Sequence, residues 1–309
     1  MKAARQTTLR DSATLTGIGV HSGRLATLTV HPAEIDSGVT FQRNGGRGIR
    51  AGVRAVTATE FATVLGDTEG PLCSTAEHVL AALSGLGVDN AIVEIDGPEV
   101  PILDGSAAPF VAAIEHAGIV RLAAPRRYIR VLRPVRVAHG DSIGELRPYA
   151  RGFRVEVEIA FDNPLVGRQV FNLDVTPQSF RREIARARTF GFMCDVNRLL
   201  DAGYAQGASI DNTVVVSDDR ILNPEGLRYA DEFVRHKALD AIGDLALAGL
   251  PLIGAYRSVR GGHKLNHAVL SALMDDPSAW TVVDAGVAAE PVIAAGRGAR
   301  RRDEAGIAA

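Results

Sequence analysis

The chain has 309 residues, about twice a typical single domain, so two domains are the first expectation. Hydrophobic residues make up 46% and charged residues 23%, ordinary globular usage that excludes a disordered, collagen-like or coiled-coil protein. Lys plus Arg (34) against Asp plus Glu (36) leaves a net charge of −2, so nothing in the overall balance draws the chain to nucleic acid or an anionic membrane, and any anionic ligand must be held by local groups.

The N-terminus, Met1 to Leu15, mixes Lys2, Arg5, Arg10 and Asp11 with threonines and has no continuous apolar run, so it does not read as a signal peptide. Strict alternation over Ala26 to His31 predicts a strand with one wet face. Helical patterns follow at roughly 75–84 and 107–117. Arg121 to Arg127, with Pro125 and a cation cluster between helical and strand signals, is the expected domain junction, with the boundary near 125. Alternation returns over Phe153 to Ile159, and helical patterns at roughly 178–188, 229–249 and 264–274, with a strand-like Leu252 to Val259 between the last two. Strands come in groups between helices, which fits α+β layering better than a parallel βαβ series. The expected organisation is an α+β domain over 1–125, a second over 126–284, and a disordered Ala-, Gly- and Arg-rich tail over 285–309. Two isolated cysteines, Cys73 and Cys194, exclude a disulfide framework and a CxxC pair, and no apolar run reaches the ~18 residues of a membrane span. A cytoplasmic protein that is not integral to the membrane is expected.

Four segments carry candidate chemistry. In Ser74-Thr75-Ala76-Glu77-His78, Ser74 and Glu77 have the spacing of a capping box, and His78 would then lie on an exposed helix face; what this leaves open is why a carboxylate and an imidazole adjoin. Ala187-Arg188-Thr189-Phe190-Gly191-Phe192 ends a helix in a hydroxyl and two aromatics, which core packing alone would explain. From Val234 to Asp244, a period of ~100° per residue puts His236, Asp240 and Asp244 on one stripe, with Ala238, Ile242 and Leu245 turned away. An imidazole and a carboxylate at i, i+4 either form an ordinary helix pair or grip one metal ion, which a ligand from elsewhere would complete. Gly243 weighs for the second reading, since glycine inside a helix is easier to explain where something approaches the backbone closely. Finally, Arg260-Gly261-Gly262-His263 either places His263 at the mouth of a site or caps a helix. Lys2, Lys237 and Lys264 are the only lysines, and two of them sit beside these candidates as point charges for an anion.

With these segments in view, the chain closely resembles the bacterial UDP-3-O-acyl-N-acetylglucosamine deacetylases, zinc amidases that commit a sugar nucleotide to lipid A synthesis. The likeness spans about residues 5–275. It is carried by Gly17-Ile18-Gly19-Val20-His21-Ser22-Gly23, by Ser74 to His78, by Pro101-Ile102-Leu103-Asp104-Gly105-Ser106-Ala107, by Ala187 to Phe192, by Asp231 to Leu245, and by Gly262-His263. The resemblance implies two similarly layered α/β sandwich domains packed helix face to helix face, with the metal site between them and a small insert in each.

Residue by residue, the resemblance implies zinc held by His78, His236 and Asp240, with Glu77 as general base and His263 as general acid. Asp244 would orient and charge that histidine, Thr189 would support the oxyanion, and Lys237 and Phe190 would contact substrate. Acetate would leave UDP-3-O-(3-hydroxyacyl)-N-acetylglucosamine, and the enzyme is expected to act as a monomer. Val196, Leu199 and Leu200 are our choice for the apolar groove that takes the acyl chain. Many relatives have a second glycine where this chain has Ala208, on the insert that resembles the wall of the acyl-chain passage. Two other readings share the same ligands: a mononuclear Fe(II) oxygenase, because two imidazoles and a carboxylate also suit Fe2+, and a non-catalytic sugar-nucleotide binder.

Overall fold

A computed structural model describes residues 4–285; most of the tail expected over 285–309 lies outside the described residues. In the first half, Leu25–Pro32 turns Ala26, Leu28 and Val30 into the core, as its alternation predicts. It pairs with Ala13–Ile18 and Ala91–Ile95 in a five-stranded sheet completed by Val39–Arg43 and Ile49–Arg50. Helices α1 (Glu77–Leu86) and α2 (Ala108–Ala117) pack on one another, and α2 also packs on Ala13–Ile18. A small sheet of Val56–Ala58, Val64–Asp67 and Gly70–Cys73 stands between the edge strand and α1 in the chain.

Arg5–Leu9 pairs antiparallel with Ile119–Pro125. One residue later, Arg127–Val131 enters a different, seven-stranded sheet, whose centre is Leu252–Val259. Phe153–Ala160 lies parallel to that central strand and antiparallel to Arg168–Val175. Within the second half, Phe190–Phe192 and Val214–Val216 pair in parallel, with the short helix α3 (Val196–Asp201) in the crossover. This is a local βαβ unit inside an α+β fold. Helices α4 (Glu232–Ala246) and α5 (His263–Met274) pack on the seven-stranded sheet and on each other.

The halves meet helix to helix. α1 packs against α4, so α4 is covered on both sides: its apolar residues from Phe233 to Leu245 and its His236–Asp240–Asp244 stripe are all buried. The stripe therefore does not face solvent opposite a packing face, as a lone amphipathic helix would suggest; it faces α1. The approach is close enough that a Cβ on Gly243 would fall 2.0 Å from the Glu77 carbonyl oxygen, which accounts for a glycine inside this helix.

Three expectations need correction. Ser74 and Glu77 form no capping box, because the backbone of Ser74 is extended and bonds Pro98 and Val100, and Ala76 precedes the first turn with no side-chain cap. The pattern at 178–188 is helical only over Pro177–Ser179 and a wider turn over Phe180–Ile184; beyond it Arg188 is drawn to Glu232, to which both its backbone N–H and its Nε donate at 2.9 Å. Lys264 is exposed rather than aimed at the site. Among the described residues no helix is long and apolar enough to cross a membrane.

A candidate metal centre between α1 and α4

Burial fixes the first property of the centre. His78 and His236 lie on facing helices, with ring centroids 5.0 Å apart and planes at 85°. The charge on a buried imidazolium is disfavoured, and burial pulls His236 down to about 3. It is thus neutral near pH 7, the form in which an imidazole binds a metal. Its Nδ1 hydrogen-bonds the Ala187 carbonyl at 3.0 Å, which places the proton on Nδ1 and leaves the Nε2 lone pair free.

Asp240 divides its two oxygens. Oδ2 accepts from Lys237 Nζ at 2.9 Å. Oδ1 is buried without a hydrogen-bond partner, 3.3 Å from His236 Nε2 and 3.7 Å from His78 Nε2. Burial opposes ionisation of Asp240, but its neighbours His236 and Lys237 outweigh it and hold the carboxyl well below its ordinary range. Ligand atoms of His78, His236 and Asp240 all lie within 4.8 Å of one another. An orphaned buried carboxylate oxygen facing two imidazole nitrogens fits a divalent cation, which would satisfy all three donors at once. His78 is therefore buried and pointed at α4, not exposed.

Beside this group stands a second pair. Glu77 is buried, and burial pushes its carboxyl up, only partly opposed by His263 and His78. Its Oε2 accepts from the Thr63 N–H at 3.0 Å, and its Oε1 lies 3.9 Å from His263 Nε2. His263 opens α5 and turns its ring inward, so helix start and site position are the same residue. Its Nδ1 lies 2.9 Å from Asp244 Oδ2. Burial would lower His263, but the Asp244 and Glu77 carboxylates outweigh it and raise the imidazole to about 9. Asp244 also accepts from Asn266 Nδ2 at 2.8 Å and from Thr63 Oγ1 at 2.5 Å, and Asn266 is itself held by the Tyr256 hydroxyl at 2.6 Å.

The remaining candidates are less closely joined. Thr189 is half-buried; its N–H donates to Gly105 O and its carbonyl accepts from Val214 N, each at 2.8 Å. Phe190 packs edge-on to Phe233 at 4.9 Å and lies 6.4 Å from the His236 ring, with Lys237 Nζ 5.7 Å from its own centroid. Val196 and Leu199 are half-buried on α3, whereas Leu200 is 45% exposed. Ala208 is exposed beside Gly207, whose Cβ would strike Gly19 O.

Sequence reasoning passed over Thr63, Asn266 and Tyr256, none of which belongs to a recognisable motif. It also passed over Glu99, a buried carboxylate that accepts from His21 N at 3.0 Å, Ser22 N at 2.7 Å and Thr75 Oγ1 at 2.8 Å. Glu99 thereby ties the Gly17–Gly23 loop to the segment that leads into α1. Glu232 completes a stripe with His236, Asp240 and Asp244 at steps of four, a spacing that could have drawn it in.

Residues 6–275 match the family described as UDP-3-O-acyl N-acetylglycosamine deacetylase (LpxC). The chain is 51% identical over 286 residues to the UDP-3-O-acyl-N-acetylglucosamine deacetylases of Brucella ovis, Brucella canis and Brucella suis, an alignment covering 91% of this chain and 99% of each relative.

Proposed function

The chain belongs to the UDP-3-O-acyl N-acetylglycosamine deacetylase family, and from that membership we propose that it is a zinc-dependent amidohydrolase. It removes the acetyl group from UDP-3-O-acyl-N-acetylglucosamine in lipid A biosynthesis. The observation that carries the metal reading is the convergence of His78 Nε2, His236 Nε2 and Asp240 Oδ1 on one small volume, with Asp240 Oδ1 otherwise unpartnered. A cation held there supplies Lewis acidity, lowering the pKa of water and polarising a carbonyl.

The chain's own groups supply the proton chemistry. Glu77 Oε1, with its other oxygen anchored by Thr63, takes a proton from the attacking water; burial raises its basicity toward the working pH. The hydroxyl oxygen bonds the acetamide carbon and the C–N bond breaks, while His263 Nε2 gives its proton to the departing glucosamine nitrogen. Asp244 holds Nδ1 and keeps that imidazole charged until it is used. Thr189 donates to the oxyanion, Lys237 and Phe190 contact the substrate, and Val196, Leu199 and Leu200 border the acyl chain.

We assign residues 1–125 and 126–284 to separate domains, the first supplying Glu77 and His78 and the second His236, Asp240 and His263. The switch from the Ile119–Pro125 pairing to the seven-stranded sheet within two residues supports this division. We place the enzyme in the cytoplasm as a monomer with no nucleic-acid partner; two unpaired cysteines and the near-neutral charge fit that setting. An Fe(II) oxygenase or a silent binder is not favoured, since either leaves Glu77 and His263 without a task.

The test is acetate release from the acylated sugar nucleotide by the purified protein, with its metal content measured alongside. Chelation should abolish release and zinc restore it. Release that survives complete metal removal would overturn the reading, and restoration by Fe2+ but not by zinc would reassign the ion.

A further inference from the structure

The geometry points to Thr63 as a positioning residue that fixes the proposed base and the proposed acid relative to one another. The inference rests on the roles given above to Glu77 and His263. Thr63 is buried, two residues after Phe61, which has a left-handed φ of 61°, and directly before the strand Val64–Asp67.

Three of its atoms are engaged in different directions. Its N–H donates to Glu77 Oε2 at 3.0 Å, its carbonyl accepts from Ala76 N at 3.2 Å at the head of α1, and its hydroxyl donates to Asp244 Oδ1 at 2.5 Å. The last bond crosses between the halves of the chain, from the first-half loop to α4. The hydroxyl is 3.5 Å from His263 Nδ1, so its short bond goes to the carboxylate rather than to the ring.

One residue thus touches both ends of the proton path. Asp244 Oδ2 already serves His263 and Asn266; the Thr63 hydroxyl on Oδ1 is what stops the carboxylate rotating about its own axis and tilting the imidazole. Glu77 is held by the backbone of the same residue, so the 3.9 Å spacing from Glu77 Oε1 to His263 Nε2 is set through Thr63. Small misplacements of acid or base lower kcat without altering what the substrate binds to.

Thr63→Val keeps the shape and removes the donor. Hydrogen bonds to charged groups are the stronger class, and the expected result is a kcat about 10- to 100-fold lower, with KM and metal content at parental values. Thr63→Ser, which keeps the hydroxyl, should stay within about threefold of the parent. In an Asp244→Asn background the valine substitution should lower kcat by less than about threefold, because the hydroxyl acts through that carboxylate. Thr63→Ala takes the place of the valine variant if the latter does not fold. Parental kcat without the hydroxyl, a serine variant as impaired as valine, or an undiminished penalty in the Asp244→Asn background would each overturn the inference. Parental turnover in Glu77→Gln and Asp244→Asn would sink the acid–base reading and this inference with it; their loss alongside a parental Thr63→Val sinks the inference alone.

Discussion

Glu77 Oε1 and His263 Nε2 face each other 3.9 Å apart, and each side chain is gripped by its far atom: Glu77 Oε2 by the Thr63 N–H, His263 Nδ1 by Asp244. The gap is too long for a direct hydrogen bond, which is the spacing the proposed base and acid need to act on a third participant between them. Glu77→Gln preserves the size of the side chain and an acceptor for Thr63 but cannot take a proton. Its kcat for acetate release should fall by about 10²–10⁴, with metal content unchanged; parental turnover would remove Glu77 from the mechanism.

The pH dependence follows from His263. Burial lowers its pKa, but Asp244 and Glu77 outweigh burial and lift it to about 9. The proposed acid must be protonated to act, so kcat should decline as pH rises through about 9, and Asp244→Asn, which removes the largest opposing charge, should bring that alkaline limb toward neutrality. The same shift acts on stability. Because the folded pKa lies above the unfolded value of about 6.5, the contribution is complete below about pH 6.5 and is lost as pH climbs through about 9. A kcat profile and denaturant midpoints across that window check both, and a limb that Asp244→Asn leaves in place would contradict the assignment.

Metal should couple to folding as well as to turnover, since the proposed ligands come from two helices that meet only in the folded chain. An ion that binds only the native state stabilises it by about 2.7 kcal/mol at a hundred times its dissociation constant. Zinc added to stripped protein should therefore raise Tm by a few degrees, and His236→Ala should lose both the rise and the bound metal. An unchanged Tm on adding zinc to the parent would argue against the three-residue centre.

Helix periodicity and residue type carried the reading from His236 through Asp244 a long way, because a stripe at steps of four survives folding as one face. Leu25–Pro32 and Phe153–Ala160 were equally legible, each with one buried face that enforces alternation. What periodicity could not convey was the partner of each face. His78 looked like an exposed helix residue because nothing local reveals that α4 lies against it, and the Ser74–Glu77 spacing resembled a cap because the extended pairing of Ser74 depends on residues 98–100, more than twenty positions away. Thr63 and Asn266 were invisible for the same reason. A threonine in a loop and an asparagine in a helix acquire meaning only when the fold sets both against Asp244.

Arg188 illustrates the strength of such long-range pairs. It is almost fully buried and donates to Glu232 through its backbone N–H, Nε and Nη2, as well as to Glu225 and the Gly226 carbonyl. Its neighbour Ala187 supplies the carbonyl that orients His236. Arg188→Met would leave Glu232 buried without its counter-charge, which typically destabilises by about 3–5 kcal/mol, and should weaken metal binding even at temperatures where the variant remains folded. Denaturant unfolding together with metal titration measures the two effects, and metal affinity equal to the parent's would separate the ion pair from the centre.

Gly243→Ala sets local propensity against packing. Within an isolated helix, alanine in place of glycine is favourable by about 1 kcal/mol, so propensity alone predicts a stabilised α4. The new Cβ, however, would lie 2.0 Å from Glu77 O and 3.0 Å from Glu77 Cα, and those are backbone atoms that cannot rotate away. Either α1 moves off α4 or both helices distort, and overpacking of this kind costs about 1–3 kcal/mol. The displaced segment is the first turn of α1, which holds both Glu77 and His78, so turnover and metal affinity should fall by more than the loss of stability accounts for. If Gly243→Ala raises the denaturation midpoint and leaves acetate release intact, α1 and α4 do not approach each other as closely as this packing requires.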